Sequence, residues 1–136
     1  MHYKDIIYKD YKCIKIVRAA KYKGRWYVIV SNYGNFPCAY VSLKFTDDDS
    51  FINTKLKTHS EVFMLQDLLF LTKYKENDWM PKEFLKQFFI GWNYGEPEDY
   101  IKPIIPGTDD KGKKYTVTEI SQDCEDVINQ LRERQE

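Results

Sequence analysis

The stretch YKCIKIVRAAKYKGRWYVIVSNYG, residues 11–34, decides the fold. In its first half Cys13, Lys15 and Val17 alternate with Ile14, Ile16 and Arg18, the period of two expected of a strand with one face on a core. The second half, GRWYVIV, is a run of aromatic and β-branched residues, which fit a pleated surface. Lys23-Gly24 between them supplies a short connection, and glycine admits the left-handed backbone that tight hairpin turns need. The two halves read as a β-hairpin.

Outward from the hairpin, Asn32-Tyr33-Gly34-Asn35 turns the chain into PCAYVSLKF, residues 37–45. Proline can open a strand because its missing donor lies outside the ladder. Three strands with tight connections predict an antiparallel meander over residues 11–45. TDDDSF, residues 46–51, reads as a solvated acidic turn, since calcium loops space their ligands alternately and close on a glutamate. SEVFMLQDLLFLTKY, residues 60–74, stays open between two readings. Ser60 suits a helix cap, and Val62, Leu65 and Leu69 with Met64, Leu68 and Leu71 fit a broad helical face. The same apolar density suits a buried strand. NDWMPKEFLKQ predicts a turn and one short helical piece with Pro81 in its first turn. QFFIGWNY then predicts a strand with Trp92 in the core.

The last segment reads as a helix. Thr116-x-x-Glu119 has the spacing of a capping box. Val117, Ile120, Cys124, Val127, Ile128 and Leu131 recur on one face. Glu119, Asp123, Glu125 and Asp126 precede Arg132 and Arg134, the order a helix dipole favours. These elements predict one α+β domain over residues 1–136. Its antiparallel sheet comes from the N-terminal meander and the strand near 88–94, covered by the C-terminal helix.

A chain of 136 residues can build a core without disulfide or metal support. Aromatic residues reach 16%, with eleven tyrosines, and a ring with a polar tip suits half-buried strands and binding faces alike. Lysine plus arginine and aspartate plus glutamate both total 21, which argues against a protein-wide attraction to nucleic acid or an anionic membrane. The charge is uneven, however: residues 1–45 hold nine basic residues against two acidic ones. Cys13, Cys38 and Cys124 form no C-x-x-C or Cys/His cluster. Three cysteines in apolar contexts fit a reducing cytoplasm. No charged n-region with an apolar h-region opens the chain, and the apolar run VFMLQDLLFL is broken by Gln66 and Asp67, so neither a signal peptide nor a membrane span is expected.

Catalysis needs paired groups in distinct environments, or a nucleophile beside an oriented base. The histidines are His2 and His59. Cys38 with His59 is a conceivable thiol–imidazole pair, set against a buried structural cysteine and a surface histidine. Glu96, Glu98 and Asp99 cluster in GEPEDY, an acidic turn that could also hold a metal or activate water. No G-x-G-x-x-G or Walker pattern occurs, and KGKKY before the last helix offers lysines near a helix N-terminus, a place that attracts anions, set against a solvated lysine run. No catalytic set, metal or cofactor is expected. Lys15, Arg18, Lys21, Lys23 and Arg25 lie along the hairpin beside Tyr22, Trp26 and Tyr27, the mixture of charge and rings used by single-strand platforms. An edge strand blunted by lysine gives the same composition. The candidate binding residues are therefore Arg18, Tyr22, Lys23, Arg25 and Trp26 on the hairpin, and Tyr94, Glu96, Asp99 and Tyr100 at the strand exit.

Three stretches, GNFPCAYVSL, FIGWNYGEPEDYI and KKYTVTEISQDCEDVINQL, occur in this order. They resemble a group of small bacteriophage and prophage proteins with a G-x-x-C-[AG]-Y-V strand, an I-G-[WF]-[DN] strand and a K-K-[WY]-T start to a terminal helix. The likeness covers residues 34–44 and 88–131. That group usually carries aspartate where this chain has Asn93, and a histidine where it has Gly95-Glu96-Pro97. A histidine-glycine-glycine segment of the group has no match around His59-Ser60-Glu61, so a proton-transfer or metal role for those residues does not carry over. The resemblance implies an accessory protein in the cytoplasm of a bacterial host. Such a protein would act by binding a host protein complex, an immune or nuclease system, and inhibiting it. A binder or degrader of a nucleotide signal is the alternative, with rings at Tyr22, Trp26 or Tyr94 and phosphate contacts from Arg18, Lys23 or Arg25. A nucleic-acid-binding module is a third.

Overall fold

The computed structural model describes residues 14–32, 36–95 and 115–135. Strands β1 (Ile14–Tyr22) and β2 (Arg25–Asn32) form the expected hairpin. Lys23 and Gly24 both take positive φ, 49° and 83°, the mirror-image turn whose twist matches that of the flanking strands. Strand β3 (Pro37–Ser42) returns antiparallel on β2. The chain then leaves the sheet through a short helix, α1 (Asp49–Thr54), and comes back as β4 (Phe63–Leu65). Three 3-10 turns, Leu69–Lys73, Lys75–Asn77 and Lys82–Leu85, lead to β5 (Phe89–Asn93). The closing helix is α2 (Val117–Gln135). The sheet order is β1-β2-β3-β5-β4, antiparallel throughout.

Both faces of the sheet are covered. On one, Tyr27, Ile29, Val41, Ile90 and Trp92 pack against Ile120, Cys124, Val127, Ile128 and Leu131 of α2. On the other, Val28, Val30, Tyr40 and Phe89 lie under Leu68, Leu71 and Phe84. Val28, Ile29 and Val30 are therefore all buried, which explains a continuous apolar run where a one-sided strand would alternate. The capping box forms: the Glu119 amide donates to Thr116 Oγ1 at 3.1 Å, and the Thr116 amide to Glu119 Oε1 at 3.2 Å. Val117 stays exposed, so the buried stripe of α2 begins at Ile120.

Two expectations change. Residues 60–74 are neither a long helix nor a buried strand. They form the three-residue β4 and a 3-10 turn, because Asp67 accepts from the Leu69 amide at 2.8 Å and the Leu68 amide donates across the fold to Phe84 O at 3.0 Å. The acidic tract 47–49 is not merely solvated. Asp47 pairs with Arg25, Asp48 caps α1 through the Ser50 amide at 2.9 Å, and Asp49 opens the helix, where a negative charge suits the dipole. Among the described residues β1 is an edge of the sheet, and Asn77 partly closes it. Its side chain accepts from the Ile16 amide and donates to Ile14 O, each at 2.9 Å, as a neighbouring strand would.

Candidate binding surface

The hairpin residues chosen from the sequence do not share a face. Strand pleating sends Tyr22 and Tyr27 toward α2 and Trp26 to the opposite side, edge-on to Phe84. The rings also already hold cations from their own hairpin. Lys21 Nζ lies 5.3 Å from the Trp26 ring centre, and Lys23 Nζ lies 5.1 Å from that of Tyr22. Lys23 further donates to Asn129 Oδ1 at 2.8 Å, tying the turn to α2. Arg18 Nε donates to the Tyr27 hydroxyl at 3.0 Å. Arg25 is 1% exposed and grips Asp47 through both terminal nitrogens, each at 2.6 Å. It leaves the binding set: its charge serves the interior. A continuous stacking platform is not formed by these side chains.

At the end of β5, Tyr94 is buried and holds a polar chain inside the first core. Trp92 Nε1 donates to its hydroxyl at 3.0 Å, and that hydroxyl donates to Asp123 Oδ2 at 2.7 Å. Burial, reinforced by Asp123, raises the phenol well above its ordinary value. His59 stacks on the Tyr94 ring with centres 4.2 Å apart and meets Tyr115 edge-on at 4.7 Å. Tyr94 is thus a structural residue rather than a platform for a base. Glu96, Asp99 and Tyr100 lie outside the described residues.

The most exposed aromatic among the described residues was not one of the sequence candidates. Lys44, Phe45, Thr46 and Asp47 make a turn closed by Asp47 N–H to Lys44 O at 3.0 Å. The Asp47 carboxylate accepts from the Lys44 amide at 2.7 Å, and the same carboxylate is clamped by buried Arg25. Phe45 sits on this pinned turn, fully exposed to solvent. Beside it runs an open groove of about 480 Å³ whose walls include Met64, Lys86 and Phe88. Met64 and Phe88 are themselves 45% and 55% exposed. An exposed aromatic on a pinned turn, next to an exposed methionine and a second aromatic, has the composition of an interface centre. The spacing Lys44-x-x-Asp47, a turn closed by its own fourth residue, is the local signal that marks this site in the sequence.

Among the described residues, neither Cys38 nor Cys124 is a ready nucleophile. Burial pushes Cys38 up to about 11, although a hydrogen bond with Tyr40 acts the other way. Burial, then Asp123 and Glu125, raise Cys124 further. Cys38 faces Tyr40 beside the second core while His59 stacks on Tyr94 of the first, so the conceivable Cys38–His59 pair is not assembled. Among the described residues no group of three histidine, cysteine or acidic side chains is placed to hold a metal, and no helix is long and apolar enough to cross a membrane. Compared with protein-family models, curated proteins and solved structures, the chain matches none.

Proposed function

We propose that this chain is a small accessory protein of bacteriophage type that acts by binding, occluding a surface of a bacterial host protein complex such as an immune or nuclease system. The observation that supports this most is Phe45, held fully exposed on a turn that a buried ion pair immobilises. An apolar ring kept in water by a rigid support has no role in the core. The backbone beneath the ring is already ordered before contact, which lowers the entropic cost of docking. Met64 and Phe88 widen it into a patch, and Lys44, Asp49 and Lys86 give it a charged border. The resemblance to small phage proteins supplies the setting, and the burial that holds Cys38 and Cys124 in the thiol form accords with binding rather than catalysis.

The test is capture from a bacterial host lysate with the native chain, Phe45→Ser and Phe88→Ser. Truncating an interface anchor costs at least about 2 kcal/mol, roughly thirtyfold in affinity. A protein that co-purifies stoichiometrically with the native chain and is lost from both variants, with folding unchanged by circular dichroism, is the expected result. Equal capture by all three chains, or a small molecule retained in place of a protein, overturns the proposal.

A further inference from the structure

The Phe45 face carries both halves of a fit. Phe45 projects, and next to it the groove of about 480 Å³ lies open, with Met64 and Phe88 in its walls. That space is ample for one benzyl group. When knob and hole lie side by side on one surface, a two-fold axis between them seats each knob in the other copy's hole, the geometry of an isologous contact. The border charges point the same way. Lys44 and Lys86 line the groove together with Asp49, and none of the three is ion-paired among the described residues. Asp47, also at the groove, is already committed to Arg25. A partner of one strong sign would meet repulsion from part of this border, whereas a second copy turned through 180° offers Asp49 to Lys86 twice over.

We infer that the free chain pairs with a second copy of itself through this face. Phe45 of each copy fills the groove of the other, and Lys86 meets Asp49 of the second copy reciprocally. The inference rests on the proposal that this face docks proteins, and it adds that the face is held against itself until a target displaces the second copy.

Sedimentation equilibrium of the full chain over a wide concentration range tests it. The native chain is expected to rise from 16.3 kDa toward twice that mass, while Phe45→Ser stays monomeric. Lys86→Glu and Asp49→Lys should each fail to pair alone, because each places like charges opposite one another. An equimolar mixture of those two variants should pair again, since both contacts across the heterodimer are then of opposite sign. Such rescue in the mixture is peculiar to a self-complementary contact; a merely sticky patch does not produce it. A native chain that is monomeric throughout, a Phe45→Ser dimer, or a mixture that behaves as its separate components overturns the inference. Phe88→Ser is the second variant should Phe45→Ser not fold. The two proposals fail separately. A monomeric native chain whose host partner is still lost on Phe45→Ser leaves docking intact and removes self-pairing. A native dimer whose host capture is indifferent to Phe45 does the reverse.

Discussion

Asp47 joins three parts of the chain through one carboxylate. It accepts from Arg25 Nη1 and Nη2 and from the Lys44 amide, and both ionic side chains are almost wholly enclosed. A buried pair gains little over a well-packed apolar pair, but removing one member leaves the other charged and unsolvated. Asp47→Ala is expected to lower the unfolding free energy by about 3–5 kcal/mol in urea titration. Asp48→Ala, which removes the cap of α1, should cost about 1 kcal/mol. Equal losses from the two variants would mean that Arg25 finds solvent or another acceptor. The same change at Asp47 releases the turn beneath Phe45. Docking through that ring should therefore weaken, beyond any loss of stability, when compared at temperatures where the variant remains folded.

At the scale of elements, β5 holds the sheet together because it lies between β3 and β4. Its Gly91 faces Tyr40 across one ladder and Phe63 across the other, and the two rings meet edge-on above it, 6.1 Å apart. A Cβ at this position would come within 2.7 Å of each ring. The missing side chain is thus the space in which the aromatic pair sits. Gly91→Ala is expected to destabilise by about 1–3 kcal/mol through overpacking, read as a fall in melting temperature. Because Phe63 belongs to the three-residue edge strand β4, the amides of residues 63–65 should lose hydrogen-exchange protection first. Unchanged protection there would show that the rings give way without disturbing the strand. Helix α2 depends on local terms as well, since its capping box forms within four residues of chain.

At the scale of the whole molecule, burial in or beside the two cores holds back the ionisation of four weak acids among the described residues. Cys38 and Tyr40 belong to one side of the sheet, Tyr94 and Cys124 to the other, and burial raises all four. Their neutral forms are favoured by folding, so the unfolded chain loses these protons first as the solution becomes alkaline. This contribution to stability is complete below the ordinary thiol value of 9.0 and is lost as pH rises through the folded-state value of about 11 for Cys38. The urea midpoint should hold steady up to about pH 8 and fall clearly by about pH 10.5. Cys38→Ala should recover part of that fall. A midpoint that is flat across this window would mean that both cores admit water around their thiols and phenols. The uneven charge of the chain is also partly resolved at this scale, since Arg25 of the basic first third meets Asp47 of the acidic remainder.

The local elements were legible because their causes are local. Period-two alternation, the positive-φ requirement at Lys23-Gly24 and the Thr116–Glu119 capping box each act within a few residues, and the hairpin, the meander, the strand at Trp92 and α2 all follow from them. Residues 60–74 were not legible. Leu68 and Leu71 are apolar in either a helix or a strand, and a contact with Phe84 far along the chain decided the matter. The surroundings of the candidate residues were not legible for the same reason. Composition sends a charge outward and a ring inward, yet Arg25 is inside and Phe45 outside. Only the approach of Asp47, 22 positions from Arg25, makes that exchange stable, by satisfying the buried charge and fixing the turn that carries the ring.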